Sequence, residues 1–286
     1  MKSNLYIIQN MMIFIEECMI KEPEYGDSFI INTNYLKNEN DINKLRLLIK
    51  KIYPYIIEKD INIVKDEYNY IYSSSNLKSI NNVLDNIIYK EHILVEDGLY
   101  DYLDNNDNVY DNKMIYVFYP DYINNNIKRN AKKIYKLDLN NIPMRFKLYF
   151  LNELSVYKEN KKGIPVLYTR PLKEDYNLSN NVINKALQYL DNNYNEIYIK
   201  KHPRDLLEYK SDKLKIIEIN KNIPSQIIDI YFAGPKYFLL PDTTFFETKG
   251  NNKNILKISN DKKYLNDFDI FNNVKFIDIN PKIISI

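Results

Sequence analysis

Short apolar runs alternate with helix-patterned segments along the whole chain, and that alternation confines the fold to a few α/β architectures. Strand-like runs are read at Asn4–Gln9, Asp27–Thr33, 61–64, His92–Asp97 and Met114–Tyr119. Between them, helical patterns are read at Met11–Ile20, at Asp41–Ile56 with Asp41 as N-cap, and at Asn76–Tyr89. A charged, loop-like stretch, Tyr157–Gly163, precedes a second series. Its strands are read at Ile164–Thr169, Glu196–Lys200, Leu214–Ile219, Tyr237–Leu240, Asn254–Ser259 and Val274–Ile279, and its helices at Asn180–Asn193 and Ser225–Ala233. Strands interleaved with helices imply parallel sheets. Two such series imply two Rossmann-like domains facing each other across a cleft, 1–158 and 159–286, a length well suited to two ordinary domains.

Bulk properties exclude several classes. Hydrophobic residues make up 45% of the chain, enough for full cores, and the net charge of +2 gives no polyanion-binding face. A nucleic-acid role is not expected. The 27 tyrosines, with no tryptophan, match the coding bias of an AT-rich genome and carry no functional weight here. The single cysteine, Cys18, rules out an internal disulfide and fits a reducing compartment. The apolar start contains Glu16 and Glu17, lacks a small-residue cleavage site and is too interrupted to span a bilayer, so a cytoplasmic protein is expected. One local exception to the charge balance is Asn126–Lys136, with five basic residues and no acid. It reads as a solvated helix face or as a peripheral contact with an anionic membrane or glycolipid. A homodimer is left open.

In open parallel sheets, ligands sit beyond the carboxyl ends of the strands. Four such ends carry unusual polar groups: Glu96-Asp97-Gly98, Thr169-Arg170-Pro171, Lys200-Lys201-His202-Pro203, and Pro241-Asp242-Thr243-Thr244. Each alone has a structural explanation: an acidic turn, a proline ending a strand, a hydroxyl capping a helix. Together they supply a carboxylate to take a proton, a histidine among cations, and hydroxyls for a phosphate. His92, the other histidine, opens a strand and reads as structural. Asp267-Phe268-Asp269 resembles a metal-binding Asp-x-Asp but has no companion ligands, and neither a metal nor a cofactor is expected.

The ordered set Glu96-Asp97-Gly98, His202-Pro203 and Thr243-Thr244 resembles the bacterial sialyltransferases. The segment "VLYTRPLKED" and the opening "NLYIIQN" resemble the lipooligosaccharide sialyltransferases of glycosyltransferase family 52. The resemblance implies a GT-B-like, metal-independent, inverting enzyme. It would move sialic acid from CMP-sialic acid to a terminal galactose-type hydroxyl of a lipooligosaccharide or capsule. The first domain would then face the acceptor and carry the base, and the second would bind the nucleotide sugar. Asp97 would be the base, with Glu96 beside it or in its place. His202 would contact the donor phosphate and, if protonated, balance its charge. Lys200, Pro203, Thr169, Arg170, Gln226, Thr243 and Thr244 would complete the donor site. Thr243-Thr244 departs from the usual serine-containing pair, and Gln226 stands where relatives offer an acid, so donor identity stays open. A UDP-sugar glycosyltransferase of the same fold and a non-catalytic nucleotide- or glycan-binding subunit are the alternatives.

Overall fold

The computed structural model describes residues 3–60, 67–75, 84, 87–96, 101–102, 108–157, 163–170, 180–239, 253–257 and 274–279. The chain divides into two compact units, Met1–Glu153 and Leu154–Ile286. The described residues of the first hold a seven-stranded sheet of β1 (Ser3–Ile8), β2 (Ser28–Ile31), β3 (Ile57–Glu58), β4 (Glu67–Ser74), β5 (Ile88–Val95), β6 (Met114–Val117) and β7 (Lys133–Lys136), in the order β3-β2-β1-β4-β5-β6-β7. Every pairing in it is parallel. Its helices are α1 (Met11–Ile20), α2 (Glu39–Ile52), α3 (Asn125–Asn130) and α4 (Met144–Leu154).

The second unit holds a six-stranded parallel sheet of β8 (Val166–Tyr168), β9 (Glu196–Lys200), β10 (Lys215–Ile219), β11 (Lys236–Phe238), β12 (Lys253–Lys257) and β13 (Lys275–Asp278). The order β10-β9-β8-β11-β12-β13 winds outward from β8 in both directions. That is a doubly wound Rossmann-like sheet, whose direction of winding switches between β8 and β11. Helices α5 (Asn180–Asp191) and α6 (Ser225–Tyr231) belong to this unit.

The carboxyl halves of the central strands β1, β4, β5 and β9 are buried throughout, as parallel strands covered on both faces must be. β2, β8 and β11 have no exposed residue, whereas edge strand β7 exposes Lys133 and Lys136. Helix α1 starts where the Asn10 side chain accepts the Ile13 N–H at 3.0 Å. Phe14 from α1 then meets Tyr53 and Phe146 edge-on, each at 5.8 Å, which packs α4 against α1. Helix α5 buries Ile183, Ala186, Leu187 and Leu190, the i, i+3, i+4, i+7 face, against Ile197, Ile199 and Leu239.

Gly234 lies in the connection to β11, against the backbone of Ile164, and a Cβ there would overlap the Ile164 carbonyl. Beside it the Val166 N–H donates to the Pro235 carbonyl at 2.9 Å. The start of β8 is thereby seated on the start of β11.

Several sequence expectations need correction. Helix α2 is capped by Asn38 rather than Asp41, and it ends at Ile52 because Tyr53 precedes Pro54 and leaves the helical region. Ile88 and Tyr89 belong to β5 rather than to a helix. The strand expected at 61–64 and most of the helix expected at 76–89 lie outside the described residues. β4 has no counterpart in the sequence reading, since its inward positions include Tyr68 and Tyr72. The basic stretch 126–136 is not one helix face. It folds into α3 and edge strand β7, with Lys132 paired to Glu91 at 2.5 Å and Lys128 donating to the Asp121 carbonyl at 2.7 Å.

Candidate functional site

The carboxyl ends of β8 and β9 are joined by a network around one carboxylate. Immediately after β8, the Thr169 N–H extends the ladder to the Lys200 carbonyl at 3.1 Å. Its Oγ1 donates to Asp205 Oδ2 and accepts the His202 N–H at 3.2 Å. Asp205 also accepts the Tyr209 hydroxyl at 2.7 Å and the Leu207 N–H at 3.0 Å, while its own N–H donates to the His202 carbonyl at 2.9 Å. The segment 201–209 is therefore wound around Asp205 and pinned to the end of the neighbouring strand. Asp205 is 2% exposed, so these partners are shielded from water.

His202 sits half-buried in this loop, and its Nδ1 accepts the Arg204 N–H at 3.1 Å. An accepting Nδ1 needs its lone pair, which leaves the ring proton on Nε2. The ring therefore offers an N–H donor at Nε2. Pro203, beside it, is exposed, and its carbonyl accepts from Lys221 Nζ at 3.5 Å. Arg170 follows Thr169 at intermediate exposure.

Lys200 also departs from expectation. Its ammonium is buried and donates to the Lys201 carbonyl at 2.9 Å and the Lys221 carbonyl at 3.0 Å, joining the loops after β9 and β10. Burial, and then the nearby Lys221 charge, lower its pKa from 10.5 to about 8. It holds the wall of the site together. Gln226 is fully buried in the first turn of α6.

A pocket of ≈ 400 Å³ opens here, lined by Tyr157, Lys201, Asp205, Glu218, Ile219, Asn220 and Lys221. The Tyr157 hydroxyl donates to the Glu218 carbonyl at 3.2 Å and accepts the Asn220 N–H at 2.9 Å, fixing one rim. Thr243 and Thr244 lie outside the described residues, as do Asp267–Asp269.

In the first unit, a separate polar cluster caps β4, β5 and β6. Glu96 is 1% exposed, and its Oε2 accepts the Tyr102 hydroxyl at 2.5 Å and the Phe118 N–H at 2.7 Å. Burial and the Glu96 carboxylate both push the Tyr102 hydroxyl well above its ordinary pKa, so it stays a donor. Glu96 thus acts as an acceptor that ties β5 to the segment after β6. Asp101 does similar work, accepting Ser75 at 2.9 Å and Tyr110 at 2.5 Å. His92 is buried, with Nε2 at 2.7 Å from Ser73 Oγ, and burial lowers its pKa to about 3. It is a neutral structural residue. Asp97 lies outside the described residues.

Asp205 and Asp101 are the residues that sequence reading missed. For Asp205 a signal existed, because a carboxylate accepting from the N–H two residues on is an Asx-type turn, here within "HPRDLL". Asp101 had no comparable local signature.

No protein-family model matches the chain, and no curated protein matches it. Among solved structures it is similar to the UDP-GlcNAc 2-epimerase from Methanocaldococcus jannaschii, with a TM-score of 0.57 at 10% identity, covering 98% of this chain and 89% of that one. A second structure of that enzyme, in complex with UDP-GlcNAc and UDP, matches at 14% identity and a TM-score of 0.49, covering 92% and 91%. The first likeness runs through both units and agrees with what the two sheets show directly. The chain has an α/β fold of two Rossmann-like units.

Proposed function

We propose that the chain is a sugar-nucleotide enzyme, a glycosyltransferase whose UDP-sugar donor binds at the carboxyl edge of the second sheet. The observation that carries this reading is the loop 201–209, folded around Asp205 and pinned to Thr169 at the end of β8. A nucleotide phosphate at that edge would meet the His202 ring N–H and the cationic side chains of Arg170, Arg204, Lys201 and Lys221. Such groups stabilise the charge that grows on a departing phosphate. The fold likeness to an enzyme whose name specifies UDP-GlcNAc favours uridine diphosphate over cytidine monophosphate. In this reading Asp97 is the base that the sialyltransferase resemblance implies, while Glu96 accepts from Tyr102 and Phe118.

The second reading, sialyl transfer from CMP-sialic acid, is favoured by the build of the His202-Pro203 corner, which the resemblance marks as the donor contact. Calorimetric titration of the whole chain with UDP and with CMP separates the two. UDP binding at least ~10-fold tighter than CMP supports the proposal, and the reverse order hands the site to CMP-sialic acid. Incubation with UDP-GlcNAc and a panel of sugar acceptors then tests transfer. His202→Ala should lower turnover by at least ~100-fold. An epimerised sugar formed without any acceptor, or no turnover from any donor, would overturn the transferase assignment.

A further inference from the structure

Two walls of the pocket are tied together by one buried ammonium. The ladder between β9 and β10 ends at the pair Lys200–Ile219, and beyond it the two strands run into separate loops. Lys201 follows in one loop and Lys221 in the other, and both residues line the ≈ 400 Å³ pocket. Lys200 Nζ donates to the backbone carbonyls of these same two residues, at 2.9 and 3.0 Å. A further link between the loops, from Lys221 Nζ to the Pro203 carbonyl, is longer, at 3.5 Å. The spacing of the two pocket lysines is thus held by a side chain that lies out of contact with solvent.

Charge is what makes this link strong. A charge-assisted hydrogen bond is roughly twice as strong as a neutral one, and a neutral amine keeps two N–H groups but loses that assistance. Burial, and then the Lys221 charge, bring the Lys200 pKa down to about 8, so the ammonium is lost as pH rises through that value. Other ionisable groups around Lys200 are occupied elsewhere. Tyr168, its register partner on β8, is held neutral by burial. On its own loop, Asp205 accepts from Thr169 and Tyr209, Lys201 donates to the Leu207 carbonyl, and His202 accepts the Arg204 N–H. Glu218 on β10 is in register with Ile199, which puts it on the opposite face of the sheet from Lys200. On α6, Asp229 is paired to Lys236.

We propose that Lys200 is a positioning residue for the nucleotide: its ammonium holds the Lys201 and Lys221 walls at the spacing a phosphate needs, and nucleotide binding takes up a proton wherever Lys200 has lost one. This rests on the reading of the pocket as the nucleotide site. A phosphate held between the two walls attracts the Lys200 proton, and the proton in turn tightens the walls. Binding and protonation therefore reinforce each other.

The test is calorimetric titration of the full chain with UDP from pH 7 to 9, in buffers of different ionisation heat so that protons taken up are counted. For a bound phosphate that holds the proton about tenfold more tightly, affinity should be about fivefold weaker at pH 9 than at pH 7, with about 0.4 proton taken up at pH 8. Lys200→Arg stays charged across this range, so it should remove most of the slope and reveal any titration of UDP itself. Lys200→Met should bind at least ~5-fold more weakly at pH 7 and take up no proton. Lys221→Gln removes the second cause of the lowered pKa and should move the inflection to higher pH, whatever it costs in affinity. The proton count on the native chain needs no variant, so it decides the matter even if Lys200→Met does not fold. UDP binding with neither pH slope nor proton uptake, or a slope that survives in the arginine and methionine variants, overturns this proposal alone. Failure of UDP and CMP to bind at any pH overturns the nucleotide reading and this proposal with it.

Discussion

Asp205→Asn tests the organisation of the candidate site most directly. The carboxylate accepts from the Thr169 hydroxyl, the Tyr209 hydroxyl and the Leu207 N–H. The amide keeps one oxygen for Leu207 but turns an NH₂ group toward two hydroxyl donors. Tyr209 can rotate its proton away and accept. Thr169 cannot do so without cost, because Oγ1 already accepts the His202 N–H. At roughly 1–3 kcal/mol for a buried donor left unsatisfied, the substitution should cost about 2–3 kcal/mol. Asp205→Ala strands all three donors and should cost about 4 kcal/mol, whereas Tyr209→Phe removes a single bond and should cost about 1 kcal/mol. Denaturant unfolding followed by far-ultraviolet circular dichroism reads the stability. Hydrogen exchange with mass spectrometry localises the effect, and peptides covering 201–209 should lose protection before the core peptides of α5 and β9. Nucleotide affinity should fall in the same order as loop protection. An Asp205→Asn protein within about 0.5 kcal/mol of the native one, with unchanged exchange at 201–209, would refute the idea that this carboxylate builds the site.

Two further predictions concern buried charge. Both carboxylate oxygens of Glu17 are buried without a hydrogen-bond partner, and burial followed by the Glu16 charge raises its pKa well above 4.5. Its folded pKa lies above the unfolded one, so its contribution is fully present below 4.5 and is lost as pH rises toward the folded value. Glu17→Leu should therefore stabilise the protein near neutrality, by up to about 3 kcal/mol, and have little effect near pH 4 in denaturant titrations. For Lys253, burial and then Lys236 lower the pKa from 10.5 to about 7. The unfolded chain binds more protons between those values, so wild-type stability should rise by up to about 2 kcal/mol from near pH 7 to about pH 9. Lys253→Met should flatten that rise, and an unchanged slope would count against the assignment.

Where hydrophobic periodicity was undisturbed, structure could be read from the sequence almost to the residue. The Met11–Ile20 helix and the Glu196–Lys200 strand have the boundaries expected of them. β4 escaped because two of the buried positions in "EYNYIYSS", Tyr68 and Tyr72, are tyrosines, a residue type whose abundance here carries little signal. α4 was also missed, although its buried Phe146, Phe150 and Leu154 recur at helical spacing. Within the site, strand-end logic brought Thr169, Lys200 and His202 to one sheet edge. It could not assign their roles, because those depend on partners distant in sequence. Thr169 and Asp205 are separated by 36 residues, and the Lys200 ammonium reaches a carbonyl 21 residues away. Burial of Glu96 against Tyr102 is equally invisible to local pattern.

Gly234 gives the site a dependence on a remote position. Any side chain there must drive Ile164 away from β11, and β8 has only three residues between that point and Thr169. So short a strand transmits a displacement at its start almost undiminished to its end, where Thr169 holds His202 and Asp205. Gly234→Ala is thus the kind of lesion a genetic screen would recover as a temperature-sensitive loss of activity, far from the pocket and touching none of its residues.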